Sequence, residues 1–130
     1  MPVQMELHRI IISEMQREQI IILKETDGVR NFPIVIDGPQ AKAIDERLKG
    51  RSDERPRTHD LLANVIEQMG GKIDHIEIND LKNHTFYAQI FIRRNGQVIS
   101  VDSRPSDAIA LGIATMVPIF VAEHVLAEVA

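Results

Sequence analysis

The sequence predicts an α+β fold: a single domain over residues 1–130, with a mostly antiparallel or mixed β-sheet, three main helices packed on it and a short C-terminal helix. A length of 130 residues suits one domain. The 44% hydrophobic and 26% charged residues are ordinary for a chain that buries its own core. Strand patterns joined by hairpin signals outnumber helical patterns, which favours a largely antiparallel sheet that carries helices on a face.

The first two strands are predicted in the N-terminal part of the chain. Apolar and polar residues alternate over residues 3–8, which is the period of a half-buried strand. Isoleucine-rich runs at residues 10–12 and 20–23 flank a polar turn around residues 16–18. This pattern predicts a hairpin with both of its faces covered.

A third strand and the first helix follow. The strand covers residues 32–36, and Pro33, which lacks an N–H, should lie at the start of the strand or on a sheet edge. Pro39 lies near the first helical position, and Gly50 is the expected end of the helix. Residues 51–57 then form a polar loop without a hydrophobic anchor.

The second half of the chain begins with a helix and continues mainly with strands. The helix starts near Thr58, carries an apolar stripe and ends at Gly70. Three strands come next, the last two joined by an Asn-Gly hairpin turn, and a nearly all-apolar helix, a short strand and a terminal helix complete the chain. Their expected positions are residues 73–78, 86–92, 98–101, 105–117, 119–121 and 123–129.

Composition excludes several classes of function. The chain has no cysteine, so disulfides, thiolate nucleophiles, iron–sulfur clusters and thiolate zinc sites are ruled out. A net charge of −4 argues mildly against tight non-specific binding to nucleic acid. No apolar run approaches the roughly 18 residues of a membrane span, and the first residues do not resemble a signal peptide. We therefore expect a cytoplasmic protein without a membrane partner.

Two short segments carry residues suited to chemistry. Residues 55–60 and 102–107 each place Arg-Pro, a hydroxyl and an aspartate at the start of a predicted helix. Helix starts attract anions, and an adjacent arginine adds a planar fork suited to phosphate. Aspartates could hold a divalent metal, and His59 could act as an acid, a base or a ligand. The two segments matter jointly only where the fold brings them together.

The same residues also have a purely structural interpretation. Serine, threonine and aspartate are preferred at helix starts because they cap them, and proline at the first helical position is routine. Arg104 could simply pair with Asp102 or Asp107. Spacing alone leaves the two interpretations open.

Residues 102–111, followed by residues 118–121, resemble the bifunctional nuclease domain family. Residues 55–62 and 85–88 are similar to further signatures of that family, and the resemblance covers nearly the whole chain. The family name derives from plant members that degrade both RNA and DNA. The resemblance therefore implies a nuclease that acts on nucleic acid. The residues that match the two main signatures are Arg57, Thr58, His59, Asp60, Asp102, Arg104, Ser106 and Asp107.

As a nuclease, the protein would hydrolyse phosphodiester bonds of RNA or DNA with the help of Mg²⁺ or Mn²⁺, since carboxylates prefer hard cations. The expected phosphate-binding residues are Arg57, Thr58, Arg104 and Ser106. The expected catalytic residues are His59, Asp60, Asp102 and Asp107, of which the three aspartates would also be metal ligands.

The alternative hypothesis is a non-catalytic module that binds an anion or nucleotide, or a regulatory oligomer. The isoleucine runs at residues 10–12 and 20–22 are rich for one hairpin, so part of that surface is expected to be buried between subunits. A homo-oligomer is therefore predicted.

Overall fold

In a computed structural model of the protein, the described residues are 1–13, 15, 18–50 and 55–130. They form seven strands and four helices. The strands are β1 (Val3–Ile11), β2 (Glu18–Glu25), β3 (Asn31–Asp37), β4 (Lys72–Lys82), β5 (Thr85–Arg94), β6 (Gln97–Ser103) and β7 (Ile119–Val121). The helices are α1 (Gly38–Leu48), α2 (Thr58–Gln68), α3 (Pro105–Thr115) and α4 (Glu123–Val129). The predicted turn at residues 16–18 and the predicted loop at residues 51–57 lie partly outside the described residues.

All seven strands belong to one mixed sheet with the order β3-β2-β1-β7-β4-β5-β6. Every neighbouring pair is antiparallel except β4 and β7, which are parallel. The predicted α+β fold with a mostly antiparallel, mixed sheet is confirmed. Two three-stranded meanders, β1–β3 and β4–β6, are joined within the sheet through β7.

The sheet is covered by helices on one face only. In β2, Ile21 and Leu23 are fully buried, whereas Ile20 and Ile22 on the opposite face are half-buried. Val35, which is paired with Ile20, is 56% exposed. The prediction that both faces of the N-terminal hairpin are covered is therefore wrong. Its isoleucines alternate between a packed face and an open one, as the period of a strand requires.

The helices differ in how deeply they are buried. α3 has six buried residues and packs against α1, α2 and the central strands, as its nearly all-apolar sequence predicts. Gly112 allows this close approach, because a Cβ atom at that position would lie 2.9 Å from Cγ1 of Ile76. α2, by contrast, has no buried residue. Among the described residues, no helix is long and apolar enough to cross a membrane.

Candidate functional site

One open cleft of about 1050 Å³ brings the two sequence segments together. It lies where the first turns of α1, α2 and α3 meet the end of β6. The lining residues are Pro39, Gln40, Ala43, Pro56, Arg57, Thr58, His59, Leu62, Ile90, Val101, Asp102, Ser103, Arg104, Asp107 and Ala110. The fold therefore supplies the proximity that spacing along the sequence could not establish.

Arginine occupies the position before the first helical residue in both α2 and α3. Arg57 and Arg104 have extended backbone angles there, with ψ values of 172° and 145°. Neither side chain caps its helix, so each helix start relies on other groups for its first N–H donors. These donors give a helix start a partial positive charge. The cleft thus combines two guanidinium groups with three helix starts.

On the α3 side, Arg104 is held between two carboxylates. Its Nε donates to Asp107 Oδ2 at 2.9 Å and its Nη1 donates to Asp37 Oδ2 at 3.0 Å. The hydrogen bond to Asp107 is the main reason why the pKa of Arg104 is raised. The other Asp107 oxygen accepts a hydrogen bond of 3.0 Å from Gln40 Nε2. Four side chains from β3, α1 and the start of α3 therefore form one network.

On the α2 side, Asp60 stabilises the start of its own helix. The backbone N–H of Arg57 donates to Asp60 Oδ2 at 3.0 Å. This contact is one half of a capping box. The Arg57 guanidinium pairs with Glu46 of α1, and His59 Nε2 lies 3.5 Å from Asp60 Oδ1. The arginine and the histidine are thereby tied to groups that fix their positions at the cleft.

Six of the eight predicted site residues line the cleft: Arg57, Thr58, His59, Asp102, Arg104 and Asp107. Asp60 is not among the lining residues and serves the helix start. Ser106 is also absent from the lining and is only 8% exposed. Asp60 and Ser106 therefore fit the interpretation that these residues only build helix starts. Asp107 fits both interpretations, because it lies in the first turn of α3 and also lines the cleft.

Sequence reasoning missed the contribution of α1. Pro39, Gln40 and Ala43 line the cleft, and Asp37 and Glu46 hold its two arginines. Asp37-Gly38-Pro39 is visible in the sequence as a helix start, which is the feature it shares with the other two segments. No local pattern links Asp37 to Arg104, which lies 67 positions further along the chain.

The three aspartates expected to bind a metal do not form a ready-made ligand set. In the described part of the chain, no three histidine or carboxylate side chains are grouped to hold a metal ion. In β6, Val101 and Ser103 pair with Ile90 and Ala88, which face the helices. Because side chains alternate along a strand, Asp102 belongs to the opposite face and reaches the cleft only at its rim. Asp60 and Asp107 already accept hydrogen bonds from neighbouring groups. The three aspartates therefore do not fit a metal ion that is held by protein ligands alone.

The fold and the cleft together define a class of protein: an α+β domain with arginine, histidine and carboxylate residues gathered at three helix starts. A model of the bifunctional nuclease domain matches residues 21–130. The chain therefore belongs to the bifunctional nuclease domain family, which confirms the resemblance drawn from its motifs.

Several known proteins are similar to the chain. It is 38% identical over 119 residues to an uncharacterized protein of Mycobacterium tuberculosis, covering 92% of this chain and 71% of that protein. It is 26% identical over 112 residues to Bifunctional nuclease 2 of Oryza sativa subsp. japonica, covering 83% of this chain and 34% of that protein. For Bifunctional nuclease 1 of Arabidopsis thaliana, the identity is 24% over 108 residues, with 80% and 33% covered. The chain thus spans about a third of each plant protein.

Proposed function

We propose that the cleft binds a phosphodiester group of RNA or DNA and hydrolyses it. The observation that carries the proposal is the meeting of Arg57, His59 and Arg104 in one open cleft, although their segments lie far apart in the sequence. Family membership supports the same reaction, since the family is named for nucleases. The plant relatives are named as nucleases, and the proposal extends nuclease activity to this chain.

The arginines are the groups suited to phosphate. A guanidinium has five N–H donors in a planar fork that matches phosphate oxygens. Arg104 uses Nε and Nη1 within the described residues, which leaves Nη2 available to a ligand. Helix starts add further stabilisation for charge that develops on a phosphoryl oxygen. Because both arginines are already paired with carboxylates, we expect modest affinity that falls as salt is raised.

His59 is the proposed proton-transfer residue. It lines the cleft, and an imidazole nitrogen can accept or donate a proton. Asp60, 3.5 Å from its Nε2, is placed to orient the ring. In the reaction, water attacks phosphorus, the bond to the leaving oxygen breaks, and a proton passes from the water to the departing alcohol. We propose that His59 takes or gives that proton.

Mg²⁺ or Mn²⁺ remains part of the proposal as a cofactor that arrives with the substrate. Mg²⁺ is commonly held by one or two carboxylates and completes its coordination with water and substrate phosphate. Among the residues that the structure describes, Asp102 and Asp107 are the two carboxylates that border the cleft. When bound, such an ion would neutralise charge on the phosphate.

A second function is favoured by one observation. Asp60 and Asp107, the acidic residues in the first turns of α2 and α3, already accept hydrogen bonds within the protein. This arrangement suits a rigid, non-catalytic cleft that binds an anion or a nucleotide. The two functions share the same binding residues and differ in whether the bound phosphodiester is cleaved.

The test is cleavage of labelled single-stranded RNA and DNA by purified protein with Mg²⁺, with Mn²⁺ and with EDTA. We expect cleavage by the wild type, loss of cleavage in His59→Gln, and retention in His8→Gln, which alters an exposed histidine of β1. Equal cleavage by both variants would trace the activity to other residues or to a contaminant. Binding of the oligonucleotide without cleavage under every metal condition would establish the second function instead.

A further inference from the structure

The cleft holds more negative than positive charge. In the part of the chain that the structure describes, the arginine and aspartate residues that line it are Arg57, Arg104, Asp102 and Asp107. Three further carboxylates bond to this lining or to its backbone: Asp37, Glu46 and Asp60. Two guanidiniums are therefore accompanied by five carboxylates among the described residues. An anion that enters the cleft is attracted by the arginines and repelled by these carboxylates.

The surroundings of Arg104 show where the repulsion acts. Asp107 accepts from its Nε and Asp37 accepts from its Nη1, which leaves Nη2 for a ligand within the described residues. All three nitrogens of a guanidinium belong to one planar group. A phosphoryl oxygen bound at Nη2 would therefore be a close neighbour of the Asp37 carboxylate. Asp37 thus repels the same anion that Arg104 attracts.

The charge of Asp37 is not used to build the start of α1. Asp37 is the N-cap residue of that helix, but in the described part of the chain its side chain makes no capping hydrogen bond. The side chain is 49% exposed, so an incoming ligand can meet it. Asparagine is as acceptable as aspartate at an N-cap. The bond from Arg104 is therefore the described contact that occupies this carboxylate.

Phosphate groups carry different charges inside a nucleic acid strand and at its end. A phosphodiester carries one negative charge, whereas a terminal phosphomonoester carries about 1.5–2 at pH 7. The additional charge gains little from an arginine that already serves two carboxylates, and both carboxylates repel it. We propose that Asp37 makes the cleft select internal phosphodiesters over terminal phosphates. This inference deepens the proposed function and rests on it.

The same repulsion acts on the product of hydrolysis. Water adds to phosphorus, one phosphorus–oxygen bond breaks, and the products are a phosphomonoester and an alcohol that takes up the proton. The phosphomonoester carries more negative charge than the phosphodiester from which it forms. Asp37 therefore favours release of the product, and the cleft acts within a strand rather than on the phosphate at its end.

A matched pair of ligands isolates the effect of charge on binding. Thymidine 5′-monophosphate and its methyl ester share the base and the sugar, and at about pH 7.5 they differ by nearly one negative charge. Competition with a labelled oligonucleotide measures both affinities, in EDTA and again in Mg²⁺. In EDTA, the methyl ester should bind about 10-fold more tightly, since a unit charge close to a surface carboxylate is repelled by roughly that factor.

Asp37→Asn removes the repelling charge and keeps the shape of the side chain. We expect it to tighten binding of the monophosphate by about 10-fold and to change binding of the methyl ester less, so that the ratio of the two affinities approaches one. Asp45→Asn is the control, because Asp45 lies on the same helix, pairs with Lys49 at 3.0 Å and is outside the described cleft lining. This control should keep the wild-type ratio.

A circular single-stranded DNA tests the same selectivity during cleavage. A circle has no end, so only a cleft that accepts internal phosphodiesters can open it. We expect the wild type to cut the circle and a linear strand of the same sequence at similar rates. It should release no inorganic phosphate from a linear strand that carries a 5′-phosphate.

The outcomes separate this inference from the proposed function. Binding of the monophosphate as tight as that of the methyl ester in EDTA would overturn the selectivity, and so would cleavage confined to linear strands or oligonucleotide binding that neither ligand displaces. An unchanged ratio in Asp37→Asn would overturn the role of Asp37. Selective binding without cleavage of any strand would overturn the hydrolysis and support the selectivity. Absence of binding of the oligonucleotide and of both ligands would overturn the proposed function and this inference with it.

Discussion

The side-chain amide of Gln40 donates a hydrogen bond of 3.0 Å to Asp107, a residue 67 positions further along the chain. The bond joins the first turn of α1 to the first turn of α3 at the base of the cleft. The other end of the amide, Gln40 Oε1, is buried and has no hydrogen-bond partner among the described residues. The two helix starts are thus connected by this donor and by the hydrogen bond from Arg104 to Asp37.

Replacing that donor with a carboxylate should loosen the cleft. Gln40→Glu would set a negative charge beside Asp107, and we expect it to lower the free energy of unfolding by about 1–2 kcal/mol at pH 7. The loss should shrink below about pH 4, where ordinary carboxyl groups are protonated. Urea titrations at both pH values measure the effect, with Gln40→Met as the uncharged control. An equal loss in the two variants would mean that shape, rather than charge, matters at this position.

Two arginines that pair with aspartate on different parts of the surface offer a matched comparison. Arg104 pairs with Asp37 and Asp107 at the cleft, and Arg93 pairs with Asp74 at 3.1 Å elsewhere. Both guanidiniums are more than half exposed, so Arg104→Gln and Arg93→Gln should each change stability little. Only Arg104→Gln should weaken oligonucleotide binding, measured by fluorescence anisotropy. Similar binding by the two variants would remove Arg104 from the site.

A three-residue ion cluster outside the cleft makes stability depend on pH. Arg30 Nε lies 2.9 Å from Glu25 and Arg30 Nη1 lies 2.8 Å from Glu123. The pKa of Glu25 is lowered chiefly by hydrogen bonds from the Arg30 side chain and backbone, and the pKa of Glu123 is lowered by the Arg30 side chain.

Because these folded-state pKa values lie below the ordinary value of 4.5, the cluster stabilises the fold above that pH. The contribution is lost as the pH falls through the lowered pKa values. Arg30→Gln should therefore be less stable than the wild type at pH 7, and the two should converge as the pH falls through the lowered pKa values of the two glutamates. Unfolding by urea at a series of pH values gives the comparison. A difference that stays constant with pH would show that Arg30 acts by packing alone.

The contact between α3 and the sheet should not tolerate a methyl group. In Gly112→Ala, the new Cβ would lie 2.9 Å from Cγ1 of Ile76 and 3.6 Å from Cγ1 of Ile119. We expect a net loss of about 1–2 kcal/mol, because overpacking outweighs the gain in helix propensity of about 1 kcal/mol. The midpoint of urea unfolding is the measurement. A raised midpoint would mean that Ile76 can move aside without cost.

The order of strands and helices was predictable because local patterns specify it. Asn95 and Gly96 mark the turn between β5 and β6, and both adopt positive φ there, as the hairpin signal predicts. Pro39 and Pro105 lie at the starts of α1 and α3. Such signals act over a few residues, so sequence alone reveals them.

The composition of the cleft was only partly predictable. The two arginine segments stand out by their residue types, but nothing near Asp37 indicates that it holds Arg104. That pairing joins the end of β3 to the residue after β6, and these strands are the two opposite edges of the sheet, so neither a local pattern nor the strand order predicts it. The positions of the predicted metal ligands depend on the fold in the same way. The alternation of β6 turns Asp102 towards the opposite face, and the start of α2 takes up Asp60.

The short strand β7 has a consequence for how the chain folds during synthesis. It pairs with β1 and β4 through three residues each, and it emerges from the ribosome after every other strand. Until residue 121 is available, the nascent polypeptide can form two separate meanders that share no edge. Joining them requires contacts between distant parts of the sequence, which slows folding. Acquisition of the complete sheet is thus a late event, and a premature stop before β7 would leave the two meanders without the strand that joins them in the sheet.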